Sequence, residues 1–392
     1  MTVLQPLRIG IMLRALDEKG GIGVYARYLT ETLLHLDRRN QYILFYRSPE
    51  NVGRHAGFPN VTERVIRGVG KAGWDQVAIP LASRREGIDV LFHPKFTVPL
   101  AAPCPTVMTV HGADWFIPEH ARFYDRLDVA YIRAVMPWYF RKAAAVLSVS
   151  QITTDEFNRI LKLPPGKVVT TYLAPGPGFH RVEDAATLAR VRDRYRLPER
   201  FILTLSKVGG GERKNIAGVI EAFRRLHGQV PHRLVIGGKD CEQFRTTYRI
   251  PDSGWGAAID FPGWISQDDL PAVYSLADLY LYPSNLEAFP IPVTEAMACG
   301  VPVVTSRTNG LLEIAGDGAV LVDPDDPDDI ARGAAEVLTD RARHAEVASA
   351  GLVRVSRYSW ERCARETLEV LERVGREGAR SGDGSAASLT RA

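Results

Sequence analysis

Short β-branched runs alternate with helix-type patterns along the first half of the chain. Each apolar run is short enough to be a buried strand, and the segments between the runs carry apolar residues at helical spacing. The predicted strands cover residues 7–13, 41–47, 88–93, 106–111, 144–150 and 167–172, and the predicted helices cover 23–36, 73–86, 119–142 and 151–162. This alternation predicts an α/β fold with a mostly parallel sheet that helices cover on both faces.

The pattern restarts after a segment rich in proline and glycine at residues 173–180. The second set of predicted strands covers 201–206, 232–238, 259–261, 277–284 and 301–306, with helices at about 214–228, 267–276, 292–299 and 326–339. Two doubly wound sheets in tandem predict two Rossmann-like domains and a ligand cleft at the carboxyl ends of their strands.

The same pattern sets the expected domain boundaries. The N-terminal domain covers residues 1–178 and the C-terminal domain covers 179–357. A last amphipathic helix follows at 358–376, and the small polar residues of the tail, 377–392, predict disorder.

Length and composition agree with a two-domain soluble protein. The chain has 392 residues, of which 45% are hydrophobic and 24% are charged, and a single core rarely grows to this size. No apolar run reaches the ~18 residues of a membrane span, and the N-terminus lacks the pattern of a signal peptide. The four cysteines have no paired spacing, so we expect a cytoplasmic protein with neither a zinc site nor disulfides.

Charge is distributed unevenly between the two halves. Residues 1–180 carry a net charge of +7 and the remainder −4, which gives +3 for the chain. This asymmetry indicates different partners for the two halves, but ordinary variation on solvated faces explains it equally well.

Two acids flank a predicted turn between a strand and a helix in the segment SNLEAFPIPVTEAMACG, residues 284–300. Glu287 lies in the turn, and Glu295 lies about one turn into the helix. Backbone amides at Phe289 and Ile291 would face a phosphate at the helix start. We expect the two carboxylates to hold hydroxyl groups on either side of a bound diphosphate. The alternative is that Glu295 only complements the helix dipole and Glu287 is a solvated turn residue.

Cations follow a glycine-rich turn in the segment SKVGGGERKN, residues 206–215. Arg213 and Lys214 open a helix directly after a strand, and Lys207 stands at the end of that strand. Fixed cations can neutralise a departing nucleoside diphosphate, and the loss of one such group typically costs about 10²–10³ in rate. Because surface lysines and arginines are common, these cations indicate a phosphate site only in combination with the two acids.

The N-terminal half has a second glycine-rich junction and two histidines at strand ends. Gly20, Gly21 and Gly23 follow the first strand and would let the backbone approach a ligand at a helix start. Their G-G-x-G spacing differs from the G-x-G-x-x-G of dinucleotide sites, which argues against a nicotinamide cofactor. His111 and the second-ranked His93 each end a predicted strand, and a structural histidine is the alternative interpretation.

The predicted helix 119–142 carries a basic row beside aromatic and apolar residues. The row consists of Arg122, Arg126 and Arg133, and the stripe beside it contains Phe123, Leu127, Ala134 and Trp138. The three arginines fall within a ~40° sector at ~100° per residue. Such a face suits anionic lipid headgroups, which would make the protein peripheral at the inner membrane face. A solvated helix face is the alternative.

The element E-x-F-x-x-P-x-x-E-A-M-A-C-G-x-P-V-V at residues 287–304 resembles the signature of the family 4 retaining glycosyltransferases, which have the GT-B fold. The similarity extends over about residues 7–376. This chain departs from the family where Ala288 and Pro290 replace the usual glycines, and Pro290 has no N–H to offer a phosphate.

The resemblance implies roles for the acids and the cations. Glu287 is expected to bind hydroxyls of the donor sugar, and Glu295 is expected to bind the ribose of the nucleotide. Lys214 and, more weakly, Arg213 belong to an R-K-N element that binds the donor phosphates, while Lys207 stands where many members have an arginine. The amides of Phe289 and Ile291 remain candidate phosphate donors.

The G-G-x-G loop with Gly21 and Gly23 is similar to the family loop that approaches the donor phosphates and the acceptor. His111 resembles a family histidine that lies near the donor sugar. Gly112 stands where the family usually has an aspartate, and Asp114 is the candidate to replace it.

The turn Phe-Pro-Gly-Trp-Ile at residues 261–265 resembles a family turn that lines the nucleobase pocket. Gly263 and Trp264 are therefore nucleoside-site candidates. A packed turn aromatic is the alternative for Trp264.

The activity that the resemblance implies is retaining transfer of a hexose from a nucleotide sugar to an acceptor hydroxyl, with His111, Glu287 and Lys214 as the expected catalytic residues. The family uses cations in place of a metal, so neither a bound metal nor another cofactor is expected. GDP-mannose is the favoured donor because the R-K-N form resembles mannosyltransferases, and a UDP-sugar is the next choice.

The expected acceptor is a sugar or a lipid-linked sugar in polysaccharide or glycolipid assembly, and no nucleic acid partner is expected. In this family the last helix, 358–376, crosses back onto the N-terminal domain. The alternatives for the function are a GT-B sugar-nucleotide epimerase and a non-catalytic protein that binds sugar nucleotides.

Overall fold

The computed structural model describes residues 5–18, 20–207 and 212–389, with side chains through residue 379. The chain divides into two compact units. Unit 1 comprises Met1–Leu173 together with Ser359–Ala392, and unit 2 comprises Ala174–Tyr358.

Unit 1 is built on a seven-stranded parallel sheet. Its strands are β1 (Arg8–Met12), β2 (Gln41–Tyr46), β3 (Val61–Val65), β4 (Val90–His93), β5 (Thr106–Val110), β6 (Ala145–Ser148) and β7 (Val168–Thr170), in the spatial order β3-β2-β1-β4-β5-β6-β7. Ile9 of β1 pairs with Tyr42 on one side and with Val90 on the other. The strand order reverses between β1 and β4, and ligands of doubly wound sheets bind at such a switch point.

The helices of unit 1 before its return segment are α1 (Gly21–Leu36), α2 (Gly70–Gly73), α3 (Ile79–Arg85), α4 (Pro118–Ala121), α5 (Arg126–Lys142) and α6 (Gln151–Leu161). A π-helical segment, Trp74–Ala78, joins α2 to α3. The single helix predicted at 119–142 is wrong, because Asp125 interrupts it. The Asp125 carboxylate accepts the amides of Leu127 at 2.8 Å and Asp128 at 3.4 Å and so caps a new helix.

Unit 2 is built on a six-stranded parallel sheet. Its strands are β8 (Phe201–Leu205), β9 (Arg233–Gly237), β10 (Ile259–Asp260), β11 (Leu279–Tyr282), β12 (Val303–Ser306) and β13 (Val320–Val322), in the order β10-β9-β8-β11-β12-β13. Here the order reverses between β8 and β11. The carboxyl ends of these two strands are therefore the expected ligand position in unit 2.

Helices cover both faces of the second sheet. They are α7 (Ala185–Tyr195), α8 (Ile216–Leu226), α9 (Phe244–Thr247), α10 (Leu270–Leu276), α11 (Ile291–Ala298), α12 (Asn309–Ala315), α13 (Pro327–Thr339) and α14 (Arg341–Val355). Successive strand residues enter different cores, since Ile202 and Leu279 belong to one buried cluster and Leu203 and Tyr280 to the other. Burial on both faces explains why these strands are continuous apolar runs in the sequence.

The last helix, α15 (Trp360–Leu389), packs within unit 1. The Trp360 ring lies 5.5 Å from the Tyr28 ring, measured between centroids. A Cβ on Gly375 would come within 2.9 Å of Leu7, and a Cβ on Gly378 would come within 2.4 Å of Pro105. The two glycines thus let the helix approach the unit closely. The helix is described through Leu389 and so extends into the tail at 377–392, whose disorder stays a prediction.

Candidate functional site

The loop between β11 and α11 is tied to three neighbouring segments at the carboxyl edge of the second sheet. The hydroxyl of Ser284 donates to the Arg213 carbonyl at 2.9 Å, and the hydroxyl of Ser306 donates to the Ser284 carbonyl at 2.7 Å. The amide of Gly310 donates to the Glu287 carbonyl at 3.0 Å. These bonds fix the backbone that carries Glu287.

Gly310 permits the closest of these approaches. A Cβ at this position would lie 2.2 Å from the Ala288 carbonyl oxygen and 2.5 Å from that of Glu287. Neither distance is possible between real atoms, so α12 can begin against the loop only with glycine here. The linear sequence gives no signal for this role, because Gly310 is far from the loop in the chain.

The Glu287 carboxylate is buried and paired with both predicted cations. Its Oε2 lies 3.0 Å from Nη1 of Arg213, its Oε1 pairs with Nζ of Lys214, and the Tyr282 hydroxyl donates to Oε1 at 2.7 Å. Burial acts to raise the pKa of this carboxyl, but Arg213 and Lys214 outweigh it and hold the pKa below its usual value. Glu287 is therefore an ionised, buried group and not a solvated turn residue.

Lys214 and Arg213 form a concentrated positive site around this acid. Burial lowers the pKa of the Lys214 ammonium to about 8, Glu287 opposes the shift, and the charges of Arg213 and Lys207 reinforce it. Arg213 also donates from Nη1 to the Leu286 carbonyl at 2.8 Å. The structure thus brings the two cations and the first acid of the sequence prediction into one cluster. The glycine-rich turn at 209–211 lies outside the described residues.

Asn215 is a positioning residue that the sequence analysis missed. It has a left-handed backbone with φ 54°, and its side chain accepts from the Gly218 amide at 3.2 Å to cap α8. The same side chain donates to the carbonyls of Pro283 at 3.0 Å and Pro324 at 2.7 Å. Asn215 therefore ties the segment that carries Lys214 to the ends of two other strands.

Glu295 on α11 is buried, and no cation among the described residues pairs with it. Burial raises its pKa to about 8, and the Tyr274 hydroxyl, which donates to Oε2 at 3.4 Å, opposes the shift. At neutral pH this carboxyl is mostly protonated. A protonated carboxyl can both donate and accept a hydrogen bond, as a sugar hydroxyl can.

Only one of the two predicted amide donors in this loop is open to a ligand. The Ile291 amide already donates to the Phe289 carbonyl at 3.0 Å, across Pro290 with φ −81° and ψ 78°. This is an inverse γ-turn that engages the Ile291 amide within the loop, and the contact of that amide with a phosphate stays a prediction. The Phe289 amide has no acceptor among the described residues.

The remaining candidates of unit 2 lie at the ends of β8 and β10. Lys207 is exposed and lies two residues after the end of β8. The Gly263 carbonyl accepts from the Gly238 amide at 2.9 Å, which holds the turn after β10 beside the end of β9. Trp264 is 68% exposed, so the alternative of a packed turn aromatic is wrong.

In unit 1 the glycine loop precedes α1 at the switch point. Gly20 has φ 139° and stands before the helix, whose first residue, Gly21, is exposed. Gly23 is buried instead, and a Cβ there would lie 2.2 Å from the Glu18 carbonyl oxygen. The absence of a side chain at Gly23 thus serves the packing of the loop on the helix.

His111 directly follows β5 and has a defined tautomer. Its Nε2 lies 3.1 Å from the Pro94 carbonyl, which can only accept, so Nε2 carries the proton and Nδ1 is left as an acceptor. Burial lowers the pKa of the ring to about 4, and the Tyr25 ring meets it edge-on at 4.9 Å between centroids. His111 is therefore neutral at pH 7 and suited to accept from a hydroxyl.

His93 ends β4 and is fully buried. Its Nδ1 lies 2.7 Å from the Thr97 carbonyl, and burial lowers its pKa to about 4. Its Nε2 has no partner among the described residues.

Asp114 occupies the space that a side chain at position 112 would enter. A Cβ on Gly112, which has φ 139°, would lie 2.9 Å from Oδ1 of Asp114. The Tyr124 hydroxyl donates to Oδ2 of Asp114 at 2.6 Å and holds the carboxylate there. The loop therefore supplies a carboxylate beside residue 112 from two positions further along the chain.

A buried ion pair beneath the glycine loop was missed by the sequence analysis. Arg14 contacts Asp75 through two nitrogens, at 2.8 and 2.6 Å, and the Thr97 hydroxyl donates to Asp75 at 2.9 Å. Glu18, in the same loop, pairs with Lys95. Arg14 and Asp75 lie 61 positions apart in the sequence, so no local pattern connects them.

The described residues contain no group of three or more histidine, cysteine or acidic side chains placed to hold a metal ion. Within the same part of the chain, no helix combines the length and apolar character that a membrane crossing requires.

Comparison with known sequences divides the chain as the two sheets do. The family described as Glycosyltransferase Family 4 matches residues 19–174, and the family described as Glycosyl transferases group 1 matches residues 190–352. The chain is 30% identical over 297 residues to O-antigen chain mannosyltransferase B of Escherichia coli, covering 74% of this chain and 75% of that protein. It is also 30% identical over 258 residues to the serotype-specific mannosyltransferase WbdA of Escherichia coli, but that match spans only 31% of the relative.

Solved structures share the architecture at low sequence identity. HepE of Anabaena, crystallised with UDP and glucose, superposes with a TM-score of 0.71 at 18% identity and covers 93% of this chain and 99% of that one. WaaG, a glycosyltransferase involved in lipopolysaccharide biosynthesis, superposes with a TM-score of 0.70 at 14% identity and covers 93% and 99%. At these identities the likeness shows the fold alone.

Proposed function

This chain is a family 4 glycosyltransferase with the GT-B fold, and from that premise we propose that it transfers a mannosyl group from a nucleotide sugar to an acceptor hydroxyl with retention of configuration. The observation that carries the proposal is the cluster of Arg213, Lys214 and Glu287 at the carboxyl edge of the second sheet. Two cations on a buried acid at a strand switch point suit a diphosphate better than any uncharged ligand.

The donor diphosphate is assigned to the positive cluster. Lys214 and Arg213 neutralise the phosphates, with Lys207 and the Phe289 amide as further donors. Glu287 holds both cations in place and has its remaining acceptor capacity for hydroxyls of the donor sugar. Because the cations are already fixed, little reorganisation is needed when charge develops on the leaving group.

The nucleoside is assigned to the neighbouring groups of unit 2. Glu295 is protonated at neutral pH and hydrogen-bonds the ribose hydroxyls. Gly263 and the exposed Trp264 contact the base. In unit 1, the family resemblance assigns His111 to the donor sugar, with Nδ1 as the acceptor, and Gly21 and Gly23 to the loop near the donor phosphates.

The transfer requires no enzyme nucleophile and no metal in this proposal. The bond between the sugar C1 and the leaving phosphate oxygen breaks, and a bond from C1 to the acceptor oxygen forms on the same face. The acceptor proton passes to the leaving diphosphate, whose charge Lys214 and Arg213 balance.

GDP-mannose is the favoured donor, and a sugar or lipid-linked sugar is the acceptor, in polysaccharide or glycolipid assembly on the cytoplasmic side of a membrane. Support comes from the two Escherichia coli relatives, which are named as mannosyltransferases. A UDP-sugar is the second choice.

A donor panel tests the proposal. The melting temperature of the wild type should rise with GDP-mannose more than with UDP-glucose or ADP-glucose, since a ligand stabilises by RT ln(1 + [L]/Kd). The variants Arg213→Ala and Lys214→Ala should show no such rise in melting temperature, whereas Arg341→Ala, at an exposed position of α14, should show it. GDP should be released only when an acceptor is present and becomes mannosylated. Release without transfer, or equal stabilisation of wild type and Lys214→Ala, would contradict the proposal.

A further inference from the structure

Helix α5 exposes an apolar stripe that nothing in the described chain covers. Leu127 is 80% exposed, and Tyr131 and Trp138 are each 58% exposed. Together with the exposed Ala134, they repeat at intervals of four, three and four residues and so lie on one side of the helix. The opposite side of α5 holds its buried residues, Ile132, Met136, Tyr139 and Phe140. The stripe therefore faces away from the core of unit 1.

Arginines lie beside this stripe. Arg122, Arg126 and Arg133 line a pocket of about 430 Å³ together with Tyr124 and Val129. None of the three guanidinium groups is paired with a carboxylate among the described residues. The nearby Asp125 already accepts two amides as the cap of α5, and Glu119 and Asp128 are exposed acids of the same segment.

We propose that the α5 face, defined as Leu127, Tyr131, Trp138, Arg122, Arg126 and Arg133, docks on a bilayer that contains anionic phospholipids. The apolar side chains, Arg126 and Arg133 occupy adjacent sectors of α5, and Arg122 lies in the turn just before it. Tyrosine and tryptophan favour the boundary between headgroups and acyl chains, while arginine favours the phosphates above it. A bilayer surface has its phosphates above its acyl chains, and the arginines and apolar side chains of the α5 face can contact the two layers at the same time.

The charge of the surrounding unit supports the same partner. Residues 1–180 carry a net charge of +7, and an anionic leaflet attracts each basic residue near it. Docking would hold unit 1 at the surface where a lipid-linked acceptor resides, and in that respect it rests on the proposed function. The attachment itself needs no substrate, so it can be tested separately.

A second apolar surface in unit 1 provides the matched control. A groove of about 550 Å³ is lined by Val65, Val69, Val77 and Leu81, with Arg67 and Arg85 at its edges. It has exposed apolar and basic residues like the α5 face, but its lining contains no aromatic side chain. Aromatic anchors are the feature that favours the α5 face.

The charge arm of the experiment compares two double variants. Sedimentation with vesicles of phosphatidylcholine and phosphatidylglycerol should occur at about 0.1 M salt and weaken strongly at about 1 M, where the screening length falls from ~10 Å to ~3 Å. Arg122→Gln with Arg126→Gln should lower the partition coefficient about 25-fold, about fivefold per arginine. Arg84→Gln with Arg85→Gln removes the same charge elsewhere in unit 1 and should change it by less than about twofold.

The apolar arm compares the two surfaces directly. Tyr131→Ala with Trp138→Ala should reduce partitioning by about tenfold, whereas Val69→Ala with Leu81→Ala should leave it unchanged. Brominated acyl chains should quench the tryptophan fluorescence of the wild type, and Trp138→Phe should lose most of that quenching. Thermal melts of all variants control for folding.

Two results would overturn the docking proposal. One is a wild-type protein that does not sediment with anionic vesicles at low salt. The other is a loss of binding in the groove variants while the α5 variants still bind, which would indicate that the groove is the occupied surface. Mannosyl transfer to a water-soluble acceptor is measured in parallel. If the wild type does not transfer mannose to that acceptor, the proposed function is refuted and the docking result still stands.

Discussion

Glu287 and Glu295 are both buried acids, but their surroundings move their pKa values in opposite directions. Two cations hold the pKa of Glu287 below its usual value, while burial raises that of Glu295 to about 8. Such a pair separates an ionised group from a neutral one within a single site. The sequence could predict that both acids matter, since their spacing is local. It could not predict their charge states, which depend on residues far away in the chain.

The protonation of Glu295 gives a prediction for stability against pH. Between the ordinary value of 4.5 and about 8, the folded protein keeps a proton that the unfolded chain has lost. The free energy of unfolding should therefore fall as pH rises through this window, by about 1.4 kcal/mol per unit from this group, and level off above it. Lys214, with its pKa lowered from 10.5 to about 8, contributes an opposite slope only above that window.

Urea unfolding of the wild type and Glu295→Gln at several pH values within that window measures the effect. The variant has no ionisable group at this position, so its advantage over the wild type should grow with pH. Glu346→Gln, on the exposed part of α14, should follow the wild type throughout. A difference between Glu295→Gln and wild type that stays constant with pH would show that Glu295 titrates normally.

At the scale of elements, the loop between β11 and α11 depends on parts of unit 2 that surround it. Asn215 ties the start of α8 to two strand ends, and Gly310 lets α12 begin against the carbonyls of the loop. The apolar runs predicted most strands of both sheets because parallel strands are buried on both faces. They did not predict β3, whose side chains are partly exposed, or β13, which is only three residues long. They also did not predict the break between α4 and α5, where the Asp125 cap overrides a continuous helical pattern.

Substitution of Gly310 by alanine should displace the loop that carries Glu287. The new Cβ would overlap the Ala288 carbonyl oxygen, and a shift of about 1 Å in a positioning element can cost up to about 10²-fold in rate. We expect kcat/KM for the donor to fall by about 10- to 100-fold.

Gly178→Ala is the control within unit 2, because a Cβ there meets nothing within 4 Å. It should keep wild-type kinetics. If Gly310→Ala also keeps them, the backbone contact between α12 and the loop has no part in positioning the site.

At the scale of the whole molecule, each unit has its own sheet and its own group of candidate residues at a strand switch point. The duplicated pattern of strands and helices was enough to predict that the chain forms two parallel sheets, because the pattern is repeated along the chain. The buried Arg14–Asp75 pair and the placement of Asp114 beside Gly112 could not be predicted, since each depends on how a loop folds back on its own unit. The basic charge of the first half of the chain and the exposed α5 face together give unit 1 a surface of arginine and apolar side chains. This surface is distinct from the candidate residues at the carboxyl edge of its sheet.

The central claim is that a nucleoside diphosphate binds where β8 and β11 end in unit 2. A crystal structure of the protein with GDP tests it most directly. The phosphates should lie within hydrogen-bond distance of Lys214 Nζ and the Arg213 guanidinium, with the ribose hydroxyls on Glu295. GDP bound away from these residues, with Lys214 contacting Glu287 and no phosphate, would contradict the claim.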